Sequence, residues 1–204
     1  MRITVEPAPA LYIALQKELE AMGKGDKTKE VLRKAIRETA KETKERIHSE
    51  TKELYTIKTA SFKKADIKIT NPSKENTGAL IEVEGRPLGI RKSYQNRKNG
   101  IRKGASAMIK TDGSMKELTI MSGNKQYKAF VATMKTGHEG IFQRVPGEHM
   151  EKRQRREKIR EIMSMSRAKA AEIVYRDKIE ADVKTELSYR LHKHMNEVIY
   201  GRRQ

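Results

Sequence analysis

Apolar positions are sparse along this chain, and their spacing switches from alternating to helical and back. Residues 2–5 (Arg-Ile-Thr-Val) alternate polar with apolar and favour β structure, which predicts a short strand ended by Pro7 and Pro9. Leu11, Leu15, Leu19 and Met22 then recur at helical spacing and predict a helix over 9–22, with Pro9 in its first turn. Gly23 and Gly25 stop it, and Asp26 or Thr28 is the expected N-cap of the next helix. That helix runs over about 27–54, with Val31, Leu32, Ala35, Ile36, Thr39, Ala40, Thr43, Ile47 and Leu54 on one face. The stripe is weak because alanine and threonine stand where leucine usually does. Its Lys and Arg residues interleave with Glu at i,i+3 and i,i+4, the pattern of a solvated, salt-bridged helix.

The middle of the chain reads as strands. Residues 65–70 and 79–84 alternate, separated by the turn Asn71-Pro72-Ser73, and Gly85-Arg86-Pro87 closes the second. Residues 91–103 are polar and rich in turn formers, and are expected to be an exposed loop around Tyr94. Residues 105–110 and 117–121 are each a strand, with a turn at 111–114. In 127–144, Phe130, Val131, Ala132 and Met134 form one apolar run, and Ile141 and Phe142 form another. The polar segment between them, with Gly137 and Gly140, predicts a hairpin. Val145-Pro146-Gly147 is a breaker, 151–162 reads as a charged helix, and a C-terminal helix is expected over about 167–200 on a stripe from Ile173 to Ile199.

Helix, sheet, helix in that order is the α+β class: a small antiparallel sheet packed by a long N-terminal and a long C-terminal helix. The expected division is an N-terminal strand and short helix at 1–26, serving as an interface arm, an α+β core at 27–150, and a C-terminal helical region at 151–204. Composition sharpens this. Of 204 residues 36% are hydrophobic, 35% charged and 5% aromatic, a thin core for the length. Long helices on a thin core predict an apolar face that is completed in an oligomer.

Charge narrows the partners. Lys plus Arg is 45 against 27 Asp plus Glu, a net +18, which points to nucleic acid, an acidic protein surface or an anionic membrane. No segment approaches the roughly 20 apolar residues of a membrane span, and the N-terminus lacks the apolar core of a signal peptide. No membrane partner is therefore expected. The absence of cysteine excludes disulfides and thiolate metal sites and suits the cytoplasm.

Two stretches are candidate sites. The basic segment with Arg91, Lys92, Arg97, Lys98, Arg102 and Lys103 carries no acid and is the best local candidate for contact with phosphate or an acidic surface. The turn Lys135, Thr136, Gly137, His138, Glu139 and Gly140 is the expected contact with a neighbouring subunit or a tail ring. His138 beside Glu139 could serve acid–base chemistry, but the sequence places no nucleophile or second carboxylate with them. His192 and His194 stand two apart and do not share a helix face, and there is no metal-binding or phosphate-loop motif. No enzyme activity, metal or cofactor is expected.

The run Ala129-Phe-Val-Ala-Thr-Met-Lys-Thr-Gly-His-Glu-Gly-Ile-Phe-Gln-Arg144 resembles the signature of the phage minor tail protein Z family, the tail-completion proteins of long-tailed phages. Lys34-Ala-Ile-Arg-Glu-Thr-Ala40 and Gly85-Arg-Pro87 are similar to two further family patterns, so the resemblance covers roughly 27–165. It lapses afterwards: Lys158-Ile-Arg-Glu-Ile162-Met-Ser164 only echoes a family segment that continues with Gly-Pro. The resemblance implies a structural protein of the virion, located at the head-proximal end of the tail and assembled in the host cytoplasm. It also implies a homo-oligomeric ring, six-fold, between tail terminator or tail tube proteins and head connector proteins, with packaged DNA as a further contact. The alternative is a free basic nucleic-acid-binding protein acting through phosphate contacts, whose affinity would fall steeply with salt.

Overall fold

The computed structural model describes residues 1–73, 77–98, 104–150 and 153–201. In chain order these form β1 (Arg2–Val5), α1 (Pro9–Ala21), α2 (Thr28–Leu54), β2 (Ile67–Thr70) and β3 (Ala79–Val83). Then come the short α3 (Ile90–Ser93), β4 (Gln95–Lys98), β5 (Ala105–Met108), β6 (Lys116–Glu117), β7 (Thr119–Ser122), β8 (Lys125–Lys128) and β9 (Phe130–Thr133). β10 (Glu139–Met150), β11 (Arg153–Glu161), α4 (Arg167–Val174) and α5 (Glu180–Tyr200) complete the chain. The fold is mixed helix and strand, with long helices and small antiparallel sheets. It divides into two compact units: Met1–Glu50 with Lys64–Glu84 and Ala171–Gln204, and Thr51–Lys63 with Gly85–Ala170.

In the first unit β3 is the central strand of an antiparallel sheet ordered β1-β3-β2. Register sets Ile81 opposite both Ile3 and Ile69, and the alternation in Arg2–Val5 and Ala79–Val83 sends Ile3, Val5, Ala79, Ile81 and Val83 inward. β1 is thus a paired strand, and Leu15 and Leu19 of α1 are buried. The Thr28 hydroxyl donates to the Gly25 carbonyl at 2.8 Å.

The weak stripe of α2 is buried as far as Ile47: Val31, Leu32, Ala35, Ile36, Thr39, Ala40, Thr43 and Ile47 are all buried, while Leu54 is half-buried. Its polar contacts with the C-terminal helix run antiparallel, Lys34 to Glu197, Glu38 to His194, Glu42 to Arg190 and Arg46 to Asp182. Small side chains on α2 let such a pair of helices approach closely. The apolar stripe of the C-terminal helix skips from Val174 to Ile179, a step of five, and the backbone takes up the extra residue as a π turn over Tyr175–Ile179. The Lys24 ammonium donates to the Val198 and Ile199 carbonyls and caps the helix end.

The second unit holds a β4-β5-β6 sheet, a β7-β8 hairpin and a β9-β10-β11 sheet, all antiparallel. β4 pairs with β5 through Asn96↔Ala107 and Arg97↔Ser106. The exposed loop expected from residue 91 onward is therefore a helical turn and a paired strand as far as Lys98, with Tyr94 buried at 1% exposure; Arg102 and Lys103 lie outside the described residues. The larger correction is at 151–162. The segment favours a helix locally, yet Arg153–Glu161 is a strand against β10, with Phe142↔Glu161, Gln143↔Arg160 and Arg144↔Ile159 opposite one another. Non-local pairing overrides propensity because it buries one side: Glu157, Ile159 and Glu161 are half-buried while Arg156, Lys158 and Arg160 are exposed. Val145, Pro146 and Gly147 do not end β10. The register shifts between Arg144 and His149, so the proline, which has no N–H to give, sits in a bulge.

Candidate docking groove at the His138 turn

The hairpin expected at 127–144 is present, with Glu139↔Thr133, Gly140↔Ala132, Ile141↔Val131 and Phe142↔Phe130 in register. The Gly137 N–H donates to Met134 O at 2.9 Å and the Met134 N–H to His138 O at 2.8 Å, which closes the turn. Gly137 has φ +79°, a left-handed conformation that a side chain would strain. Lys135, Thr136, Gly137 and Glu139 are exposed, whereas Gly140 is buried in β10 rather than in the turn.

His138 does not pair with its neighbour Glu139. Its Nε2 lies 2.9 Å from Glu161 Oε2, and its ring meets Phe142 edge-on at 6.2 Å and 89°. A carboxylate only accepts, so Nε2–H donates and Nδ1 is left as the uncommitted ring nitrogen. Phe142 also packs against Phe130 at 6.5 Å, and the Arg144 guanidinium stands 6.0 Å above the Phe130 ring. The second Glu161 oxygen, Oε1, is buried with no hydrogen-bond partner among the described residues. It occupies space left by two glycines: a Cβ on Gly89 would lie 2.0 Å from it, and one on Gly140 2.9 Å.

Glu139 turns instead to Arg91, its Oε1 2.5 Å from the guanidinium. Around Arg91 the backbone is tied down. The Lys58 ammonium and the Asn96 amide both donate to Arg91 O, at 2.7 and 2.9 Å, and the Ser61 hydroxyl donates to Lys92 O at 2.8 Å. An open groove of about 600 Å³ results, lined by Lys58, Arg91, Lys92, Asn96 and residues 137–139. Three permanent cations face one carboxylate there, and that carboxylate is already paired with Arg91.

The groove thus joins part of each sequence candidate, Arg91 and Lys92 from the basic segment and Gly137, His138 and Glu139 from the turn. Arg97 and Lys98 are exposed on β4 and do not line it. Three participants were missed. Glu161 was legible in the period-two pattern Arg156-Glu-Lys-Ile-Arg-Glu161, which sets both glutamates and Ile159 on one strand face. Lys58 and Asn96 carry no such signal. The lining holds neither a hydroxyl nor a thiol nucleophile, and the described residues contain no group of three or more His, Asp or Glu able to hold a metal. What the arrangement offers is a fixed, cationic, hydrogen-bonding surface beside a rigid turn.

Elsewhere in the same unit, the Ser164 hydroxyl lies 3.0 Å from that of Ser93 and 2.8 Å from Leu88 O. Tyr94 OH is buried without a hydrogen-bond partner among the described residues, and burial pushes its pKa up to about 12. The first unit has its own charged cluster. His194, 3% exposed, lies with Nδ1 3.0 Å from Glu197 and Nε2 2.8 Å from Glu38. Glu197 is held down at about 2 by hydrogen bonds from Lys34 and His194. Arg190, 19% exposed, bridges Glu38, Glu42 and Glu186. Every member has a charged partner within the unit, so the cluster ties α2 to α5 and is not an open site.

No helix among the described residues is long and apolar enough to cross a membrane. The chain matches no protein-family model, no curated protein and no solved structure.

Proposed function

We propose that the chain is a structural virion protein, a tail-completion protein of the minor tail protein Z kind. In this reading it finishes the head-proximal end of a long-tailed phage tail and helps join tail to head. It assembles as a ring, six-fold, against tail terminator or tail tube proteins and head connector proteins, and it is not an enzyme. The observation that carries the reading is the hairpin itself. The residues that resemble the family signature are a β hairpin whose polar turn is pinned by His138 to Glu161 at 2.9 Å and stands beside an open basic groove. A rigid exposed tip on a strand pair suits docking.

Unburied apolar side chains support an assembly role. In the first unit Ile13, Met22, Tyr189 and Tyr200 are exposed, and in the second Ile120, Met121, Met150 and Met163. A free nucleic-acid-binding protein fits less well, because Tyr94 is buried and cannot stack on a base, and Lys34 and Arg46 of α2 are paired with Glu197 and Asp182. Mass photometry of the purified protein, alone and with isolated tails, tests the reading. Closed rings on tail ends are expected; a monomer that ignores tails contradicts it.

A further inference from the structure

We propose that the groove beside the His138 turn is an anion-binding site for the carboxylates of an acidic segment on a partner protein other than this chain. The inference deepens the docking half of the preceding reading and rests on it only for where the partner sits.

The site is cationic and its donors are available. Lys58 is exposed and commits one ammonium proton to Arg91 O at 2.7 Å, leaving two. Lys92 is exposed, and its ammonium makes no ion pair among the described residues. Arg91 is held by Glu139 at 2.5 Å and keeps further guanidinium N–H groups. His138 is committed to Glu161 through Nε2 and fixes the turn that walls the groove; it is not one of the donors. The donors ride on backbone fixed by hydrogen bonds to Arg91 O and Lys92 O, so little order is lost on binding.

Carboxylates fit better than nucleic-acid phosphates. A phosphate backbone needs a continuing run of cations, and here the run is short and has Glu139 in its wall. A second copy cannot supply the ligand well, because no two acidic residues are adjacent anywhere in the chain, whose net charge is +18. A differently charged partner is what the groove complements.

The test is fluorescence anisotropy of a labelled oligoglutamate peptide titrated with the full chain at low and at physiological salt. Binding that weakens with salt is expected. Lys58→Ala/Lys92→Ala should weaken it about ten-fold, from two partly solvated charge contacts. Lys17→Ala/Lys41→Ala removes the same charge from exposed positions of the first unit and should leave affinity unchanged. No peptide binding, equal loss in both double variants, or tighter binding of duplex DNA abolished by the groove substitutions would each overturn the proposal. The assay uses isolated protein and peptide, so its failure is separable from failure of the virion reading, which is read on particles.

Discussion

Gly89→Ala isolates what holds the His138 turn in place. Gly89 has φ −53° and ψ 134°, a conformation alanine adopts freely, so the substitution acts through sterics alone. The new Cβ would lie 2.0 Å from Glu161 Oε1. The backbone there cannot retreat: Gly89 bridges to Met163, Ile90 N–H donates to Ile162 O at 2.9 Å, and Ser164 N–H donates to Leu88 O at 2.7 Å. The carboxylate is the softer partner and must swing away, releasing His138. A hydrogen bond to a charged group is worth roughly 1.5–3 kcal/mol. His138 and Glu161 keep 35% and 22% side-chain exposure, so solvent screening lowers this to about 1–2 kcal/mol. Urea unfolding of Gly89→Ala, Glu161→Ala and the double variant reads this as a cycle. With the carboxylate gone there is nothing for the Cβ to strike, and Gly89→Ala should then cost close to nothing. Equal cost in both backgrounds would refute the steric link between Gly89 and the His138 anchor.

Three further outcomes follow from the same geometry. Glu197, held near 2 against a usual 4.5, contributes stability that is present above about pH 4.5 and lost as pH falls toward 2; the gap in unfolding free energy between wild type and Glu197→Gln should close across that window, and a gap that is constant in pH would contradict it. Arg190→Ala leaves Glu38, Glu42 and Glu186 without their shared guanidinium and should cost about 1.5–3 kcal/mol in thermal or urea unfolding, whereas Lys193→Ala on an exposed position should cost within about 0.5 kcal/mol. Tyr94→Phe removes a buried hydroxyl that has no hydrogen-bond partner among the described residues and should leave stability unchanged or raise it by about 1 kcal/mol; a loss of that size in urea unfolding would show a hidden partner.

Local pattern made most elements legible where one face was buried and one wet. Arg2–Val5, Ile67–Thr70 and Ala79–Val83 alternate visibly, and α2 could be traced despite Ala and Thr in its stripe. The step from Val174 to Ile179 was visible too, and the π turn is its backbone consequence. Propensity failed where long-range pairing decided the outcome. Arg153–Glu161 carries helix formers, and only β10, which returns from across a bulge, makes it a strand. The expected single sheet likewise became separate small sheets in two units, because β1 and β2 flank β3 rather than joining the later strands. At the site, the His138 turn was legible from its glycines and polar tip. Its partner Glu161 stands in a period-two pattern that the helix formers of 151–162 outweigh, and Lys58 carries no local pattern at all. Adjacent His138 and Glu139 suggested a pair, yet strand geometry sends them to different partners, Glu161 and Arg91.

The central claim is that the chain completes a tail at its head-proximal end. Electron microscopy of particles assembled with and without it tests this most directly. Without the chain, filled heads and tails should accumulate unjoined, and adding purified protein should restore joined particles. Normal joined, infectious virions formed in its absence would contradict the account.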